Sequence, residues 1–219
     1  MSIDLIAMAS GRGSNVAAIA RAISTGELDA RLLCVVVNDP DAPVLFHCRE
    51  KGIETVLVPS KGLKKKEHEE LVLEKLAGYK PDYIVLAGYM RILSGYFLSA
   101  FKGENFFRVI NIHPSLLPAF PGATAYQDAF NAGVKESGIT IHLVDEKIDH
   151  GPILAQAAFP RHNSDDFESF GLRGLSIEHK LYPYVLNQVA KRGIDLAAMP
   201  FDLSEFWQSY GALESGRKL

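Results

Sequence analysis

Short apolar segments alternate regularly with amphipathic ones in the first half of this chain, and that alternation constrains its fold most. The first segment, Ile3–Ala9, is apolar apart from Asp4, and Ser10 and Gly11 follow it directly. Such a run is typical of a strand buried on both faces of a parallel sheet. The same reasoning predicts strands at 3–9, 32–37, 54–58, 83–87 and 108–112, separated by helices at 16–26, 44–51, 65–79 and 94–101.

The pattern changes after Pro114, where a loop rich in proline and glycine precedes four further elements. They are predicted as a helix at 125–132, strands at 138–144 and 153–159, and a bent helix at 165–192. The repeats predict an α/β protein in which a doubly wound, mostly parallel twisted sheet forms a single domain. Ligands bind such sheets in a crevice at the carboxyl ends of the strands. The residues after Gly193 are expected to form a loosely attached extension.

Composition excludes several classes of partner. The 219 residues are 47% hydrophobic and 22% charged, and the formal net charge of -3 gives no basic surface for a nucleic acid. The N-terminus lacks a basic signal region, and no apolar stretch approaches the roughly 20 residues of a membrane helix. Cys34 and Cys48 form neither a disulfide pattern nor a metal-binding spacing, so we expect buried free thiols in a reducing compartment. We therefore expect a cytoplasmic protein without a nucleic-acid or membrane partner.

The loop after the first strand favours an anion. Glycines at 11 and 13 allow the backbone to turn sharply, and the helix that follows presents free N–H groups to a phosphate. A dinucleotide fingerprint would need a third small residue where this chain has Val16. The loop therefore predicts a phosphate site for a ligand of mononucleotide size. The alternative is an ordinary strand-to-helix turn capped by Ser14.

A second cluster ends the fifth predicted strand. Asn111 and His113 are two residues apart, so their side chains leave on the same side of the sheet, and Pro114 ends the strand at the crevice. An amide donor beside an imidazole can stabilise an oxyanion. The alternative is a histidine whose ring only bonds a loop carbonyl.

An acidic loop between two later strands could supply a carboxylate partner for His113. It would hold the imidazole charged and help to move protons. Spacing alone does not choose among Asp145, Glu146 and Asp149.

A metal site is the alternative use of these histidines. His113, His142 and His150 with an aspartate could form one, but no His-x-x-x-His or cysteine spacing supports it. We therefore predict no metal.

Four segments in this order resemble the glycinamide ribonucleotide formyltransferases, members of the folate-dependent formyltransferase superfamily. The likeness extends to about Arg192, and its segments are 11–15, 86–93, 111–118 and 149–152. The resemblance implies a Rossmann-like formyltransferase fold. It also implies that 10-formyltetrahydrofolate donates its formyl group to the amine of glycinamide ribonucleotide in de novo purine synthesis. The implied protein is a monomer or a homodimer.

Motif matching gives each site residue a role that the resemblance implies. The catalytic residues are Asn111, His113 and Asp149. The substrate-binding residues are Gly13, Ser14 and Asn15 at the phosphate, Glu178 at the ribose hydroxyls, and Met90. The folate-binding residues are Arg91, Ile92, Leu93 and Asp145. The implied formyltransferase domain is 1–193, with a phosphate- and nucleotide-binding half at 1–102, a catalytic and folate-binding half at 103–193, and an extension at 194–219.

One segment departs from the family pattern. Residues 119–129, with 132–135 after them, are closer to the formyltetrahydrofolate deformylases, in which water accepts the formyl group. The phosphate loop favours transfer over this hydrolysis. A nicotinamide-dependent dehydrogenase is a further alternative, favoured by Gly11-x-Gly13 and Asp39 but opposed by Val16. A folate- or nucleotide-binding module without activity is the third.

Overall fold

One seven-stranded sheet, in the order β3-β2-β1-β4-β5-β6-β7, organises the protein. The computed structural model describes residues 2–215, and its side chains are described as far as residue 211. Strands β1 to β5 pair in parallel, whereas β6 and β7 run antiparallel to their neighbours. The strands are β1 (Ile3–Ala9), β2 (Ala30–Val37), β3 (Thr55–Leu57), β4 (Tyr83–Leu86), β5 (Val109–His113), β6 (Glu136–Leu143) and β7 (Ile153–Pro160).

Helices join the strands in the predicted order, and a last helix follows them. They are α1 (Ser14–Ser24), α2 (Val44–Glu50), α3 (Lys65–Leu76), α4 (Gly95–Ser99), α5 (Ala125–Ala132), α6 (Phe167–Arg192) and α7 (Ser204–Ser215). Helix α6 continues through Pro183, which lies fully inside it. The doubly wound, mostly parallel α/β fold predicted from the sequence is confirmed.

Alternating side chains of the central strands fill two cores, one on each face of the sheet. In β1, Leu5 and Ala7 belong to the larger core, and Ile6 and Met8 belong to the smaller one. Helices α1, α2, α5 and α6 contribute to the larger core, and α3 and α4 to the smaller. Burial on both faces explains why β1 reads as a continuous apolar run.

The strand order reverses between β1 and β4. The chain proceeds outward through β2 and β3 and then returns to place β4 and β5 on the other side of β1. A reversal of this kind opens a crevice at the carboxyl ends of the strands. The β1–α1 loop, the segment after β4 and the end of β5 meet there.

The extension is attached firmly along the part of the chain that the structure describes. Phe201, Leu203, Phe206 and Tyr210 are all buried in the larger core. The N–H of Phe201 donates to the carbonyl of Leu154 at 2.7 Å. The expectation of a loosely attached extension is therefore wrong for residues 194–211, because apolar side chains before α7 and on one face of it are buried against the domain. Its end, residues 216–219, lies outside the described residues.

Within residues 2–215, no helix combines the length and the apolar character needed to span a membrane.

Candidate active site

A cavity of about 480 Å³ opens at the carboxyl ends of the central strands, as the strand order requires. That volume lies in the range of sites for small organic ligands. Most of the residues predicted for the site meet in its wall: Asn15, Met90, Arg91, Ile92, Leu93, Asn111, His113, Asp145, Asp149 and Glu178. Gly13 and Ser14 are not among the residues that line it.

Gly13 and Ser14 form the N-terminus of α1. Gly13 is the N-cap, with a φ of 74°, and a Cβ there would lie 2.2 Å from Cγ2 of Val44 in α2. A glycine is therefore required both for the left-handed backbone and for the close helix contact. No side chain caps this helix, so the alternative in which Ser14 is the cap is wrong. The N–H groups of the first turn stay available for an anion.

Asn111 contacts a residue whose role the sequence analysis missed. Strands β5 and β6 pair antiparallel, and their register places Asn111 opposite His142. The amide nitrogen of Asn111 lies 3.2 Å from Nε2 of His142, and Nδ1 of that ring lies 2.8 Å from the carbonyl of Leu143. The antiparallel register, rather than a motif, would have revealed this pair.

Burial determines which atom donates between these two side chains. Loss of hydration lowers the pKa of His142, so the ring is neutral. The carbonyl of Leu143 can only accept, so Nδ1 carries the hydrogen and Nε2 accepts from the Asn111 amide. At 3.7 Å from a carboxylate oxygen of Asp149, a neutral His142 makes no ion pair. Asn111 is held with its nitrogen fixed, and its second N–H is left for the cavity.

His113 has an oxygen acceptor at each ring nitrogen. Its Nε2 lies 2.8 Å from the carbonyl of Phe120, and its Nδ1 lies 3.4 Å from Oδ2 of Asp149. An imidazolium donates from both nitrogens, so this surrounding suits the charged ring. The loop-carbonyl bond considered as an alternative is present, but it accompanies the carboxylate contact rather than replacing it.

The structure selects Asp149 as the carboxylate beside His113. Oδ2 of Asp149 also accepts from the N–H of Gly122 at 2.7 Å, which joins the acidic loop to the loop after β5. Asp145 instead pairs with His150 at 3.0 Å. Asp149 has a φ of 51°, a left-handed conformation that is uncommon outside glycine and that aspartate adopts more readily than most residues.

Glu178 is a buried carboxylate with two donors. Its Oε2 accepts from Nδ2 of Asn15 at 2.7 Å, and its Oε1 accepts from the hydroxyl of Tyr126 at 2.6 Å. Burial raises the pKa of Glu178, while these two hydrogen bonds and the nearby His113 act in the opposite direction. No sequence pattern marked Tyr126, although it lies in the segment that departs from the family pattern.

An apolar wall faces these polar groups. Met90, Ile92 and Ile148 line the cavity with 64%, 57% and 53% of their surfaces exposed, which is high for large apolar side chains. Adjacent apolar residues left open to water beside a cavity are typical of a ligand site. Among residues 2–215, no group of three or more His, Cys, Asp or Glu side chains is arranged to hold a metal ion.

The fold and this site together define an α/β group-transfer enzyme. More specifically, the chain belongs to the formyl transferase family, which matches residues 4–186. It is 41% identical over 182 residues to the phosphoribosylglycinamide formyltransferase of Bacillus subtilis, a match that covers 83% of this chain and 91% of the relative. The Escherichia coli phosphoribosylglycinamide formyltransferase is 35% identical, with 86% and 87% covered. The crystal structure of phosphoribosylglycinamide formyltransferase from Bacillus halodurans matches with a TM-score of 0.81 at 36% identity, covering 90% of this chain and 100% of that one.

Proposed function

We propose that this protein transfers the formyl group of 10-formyltetrahydrofolate to the amine of glycinamide ribonucleotide in de novo purine synthesis. The observation that carries the proposal is the convergence of Asn111, His113 and Asp149 in one cavity. Relatives named phosphoribosylglycinamide formyltransferase match most of the chain, which supports this reaction over the deformylase and dehydrogenase alternatives.

The polar residues suit the charge that develops during formyl transfer. As the acceptor nitrogen bonds to the formyl carbon, negative charge builds on the formyl oxygen. The free N–H of Asn111 donates to that oxygen, and the charged ring of His113 stabilises it through space. His113 contributes charge rather than a second direct donor in this geometry, because Phe120 already accepts its Nε2 hydrogen. Asp149 holds the imidazolium and assists the proton that passes from the acceptor amine to the departing folate nitrogen.

The acceptor spans the α1 side of the cavity. Its phosphate lies at the uncapped N-terminus of α1, formed by Gly13, Ser14 and Asn15. Its ribose hydroxyls donate to Glu178, which lines the cavity. Oδ1 of Asn15 is buried without a partner among the described residues, and a bound donor would recover the roughly 1–3 kcal/mol that such an atom costs.

The folate lies along the opposite wall. Ile92 and the neighbouring Met90 and Leu93 supply an apolar surface for the flat pterin ring. Arg91 and Asp145, which also line the cavity, would bind its polar edge. In this arrangement Met90 contacts both substrates.

Removal of the Asn111 amide is the direct test of the transfer site. We expect Asn111→Ala to lower kcat by roughly 10²-fold with little change in the KM of either substrate, because the lost donor acts mainly in the transition state. The measurement is steady-state formylation of glycinamide ribonucleotide at saturating 10-formyltetrahydrofolate. Turnover close to that of the wild type would contradict the role of Asn111.

A product assay separates transfer from hydrolysis. Wild-type protein is incubated with 10-formyltetrahydrofolate, with and without glycinamide ribonucleotide, and both formate and formylated product are followed. We expect folate to lose its formyl group only when the ribonucleotide is present. Rapid release of formate without it would favour the deformylase reaction instead.

The remaining features of the proposal are its setting and its assembly. We place the reaction in the cytoplasm, in keeping with the buried free thiols of Cys34 and Cys48. The protein acts on small molecules as a monomer or a homodimer. The division into a nucleotide-binding half at 1–102 and a catalytic and folate-binding half at 103–193 stays a prediction, because Ile92 on the folate wall belongs to the first half and Glu178 on the acceptor side belongs to the second.

A further inference from the structure

Tyr126 holds the carboxylate of Glu178 from behind the cavity. Three helices supply the network: Asn15 from α1, Tyr126 from α5 and Glu178 from α6. Asn15 and Glu178 line the cavity, whereas Tyr126 does not. The tyrosine hydroxyl therefore acts on the carboxylate without itself facing the ligand space.

The two donors leave Glu178 able to accept further hydrogen bonds. Each carboxylate oxygen can accept two hydrogen bonds, and Tyr126 and Asn15 use one on each oxygen. One acceptor position per oxygen remains. A carboxylate fixed in this way matches two neighbouring hydroxyls, one for each oxygen, as a cis-diol presents them.

A glycine on α6 makes room for the tyrosine. A Cβ at Gly174 would lie 2.4 Å from the hydroxyl oxygen of Tyr126 and 2.6 Å from its ring. Gly174 precedes Glu178 by about one helical turn, so the open space lies beside the carboxylate. Glycine is unfavourable inside a helix relative to alanine, and the room that Gly174 leaves for Tyr126 gives it a structural reason here. Gly171, on the same helix, has no atom within 4 Å of such a Cβ and provides a matched comparison.

We propose that Tyr126 is a positioning residue that orients Glu178 to recognise the vicinal hydroxyls of the acceptor, and that it thereby sets the preference for a ribonucleotide over a deoxyribonucleotide. The inference rests on the proposed function, since it concerns the acceptor of that reaction. Gly174 is also required for this arrangement, because a larger residue there would clash with Tyr126.

Tyr126→Phe tests the role of the hydroxyl alone. We expect the KM for glycinamide ribonucleotide to rise about five- to tenfold while kcat at saturation stays within about twofold, since the hydroxyl orients a binding group rather than a reacting one. The KM for the 2′-deoxy analogue should change far less, so discrimination between the two acceptors falls. Tyr184→Phe is the matched control, because it removes the hydroxyl of another partly buried tyrosine, which lies on α6 and does not line the cavity, and should leave both KM values unchanged.

Gly174→Ala tests the same contact from the other side. The added methyl group displaces Tyr126, so the ribonucleotide KM should rise as it does in Tyr126→Phe. Gly171→Ala, which adds a methyl group in open space, should leave that KM unchanged. If Gly174→Ala does not fold, Tyr126→Phe decides the question, because it adds no atom.

The outcomes separate the inference from the proposed function. Wild-type protein that does not formylate glycinamide ribonucleotide would contradict the function itself. Normal transfer by the wild type, with an unchanged ribonucleotide KM and unchanged discrimination in Tyr126→Phe, would overturn only the role of Tyr126. A fall in kcat without a change in KM would also overturn it, since that result assigns the hydroxyl to the chemical step.

Discussion

At the scale of single residues, the site depends on which nitrogen of each histidine carries a hydrogen. His142 is neutral and bonded through Nδ1 to a carbonyl, so its Nε2 can only accept. That requirement turns the nitrogen of the Asn111 amide toward His142 and keeps it there. His113 differs, because an oxygen acceptor lies beside each of its ring nitrogens. Two histidines in one cavity therefore perform different tasks because their neighbours differ.

His142→Asn separates these tasks. Asparagine can still donate to the carbonyl of Leu143 but has no counterpart of Nε2, so the Asn111 amide loses its partner. We expect kcat to fall about tenfold with little change in either KM, which corresponds to about 1.4 kcal/mol of transition-state stabilisation. The measurement is steady-state formyl transfer.

The control for this change is His162→Asn, which alters an exposed histidine that does not line the cavity and should not affect turnover. An unchanged kcat in His142→Asn would mean that Asn111 keeps its orientation without the ring.

Sequence patterns predicted the part of the site that local spacing controls. Asn111 and His113 are two residues apart on one strand, so their shared direction followed from strand geometry. Spacing did not choose Asp149 over Asp145, and only the family resemblance implied it, because the loop backbone, including the left-handed φ of Asp149, decides which carboxylate reaches His113. The bond from Tyr126 to Glu178 joins side chains 52 residues apart on two packed helices, and no local pattern encodes such a contact.

At the scale of elements, local sequence patterns predicted the strands but did not predict how the extension packs. Central strands such as β1 and β4 were predicted because they are buried on both faces, and a continuous apolar run identifies them. The extension carries isolated apolar residues among polar ones, and these were not enough to predict its docking. The structure places Phe206 against Tyr184 of α6, with ring centroids 5.4 Å apart. Burial of that ring attaches α7 to α6.

Phe206→Ala measures how much α7 contributes to stability. Phe206 is only 3% exposed and packs against Tyr184, Trp207 and Tyr210, so we expect its removal to lower the free energy of unfolding by about 3–5 kcal/mol. Chemical denaturation monitored by circular dichroism provides the value.

The neighbouring Trp207→Ala is the control, since Trp207 is 38% exposed and its loss should cost less. Equal stability of Phe206→Ala and wild type would contradict the conclusion that the extension is firmly attached.

At the scale of the whole molecule, two buried histidines and one half-buried histidine link folding to pH. His68 lies in α3, His142 in β6 and His179 in α6, and burial lowers the pKa of each below its ordinary value of 6.5. The folded protein resists protonation of these rings, whereas the unfolded chain binds protons once the pH falls below about 6.5. Their contribution to stability is therefore complete above that pH and is lost as the pH falls from about 6.5 through the lowered pKa values of the folded protein. Glu178, whose pKa is raised, acts in the opposite direction at lower pH.

His68→Gln tests this linkage away from the active site. Nε2 of His68 bonds the carbonyl of Val58 at 3.0 Å, and the glutamine amide can donate to the same atom without titrating. We expect the wild type to lose stability between pH 7.5 and 5.5 more steeply than His68→Gln, by at most about 1.4 kcal/mol per pH unit, the value for one proton. Urea unfolding at several pH values gives both slopes. His47→Gln, at an exposed position, should keep the wild-type slope. Identical slopes in wild type and His68→Gln would mean that His68 protonates as easily in the folded protein as in the unfolded chain.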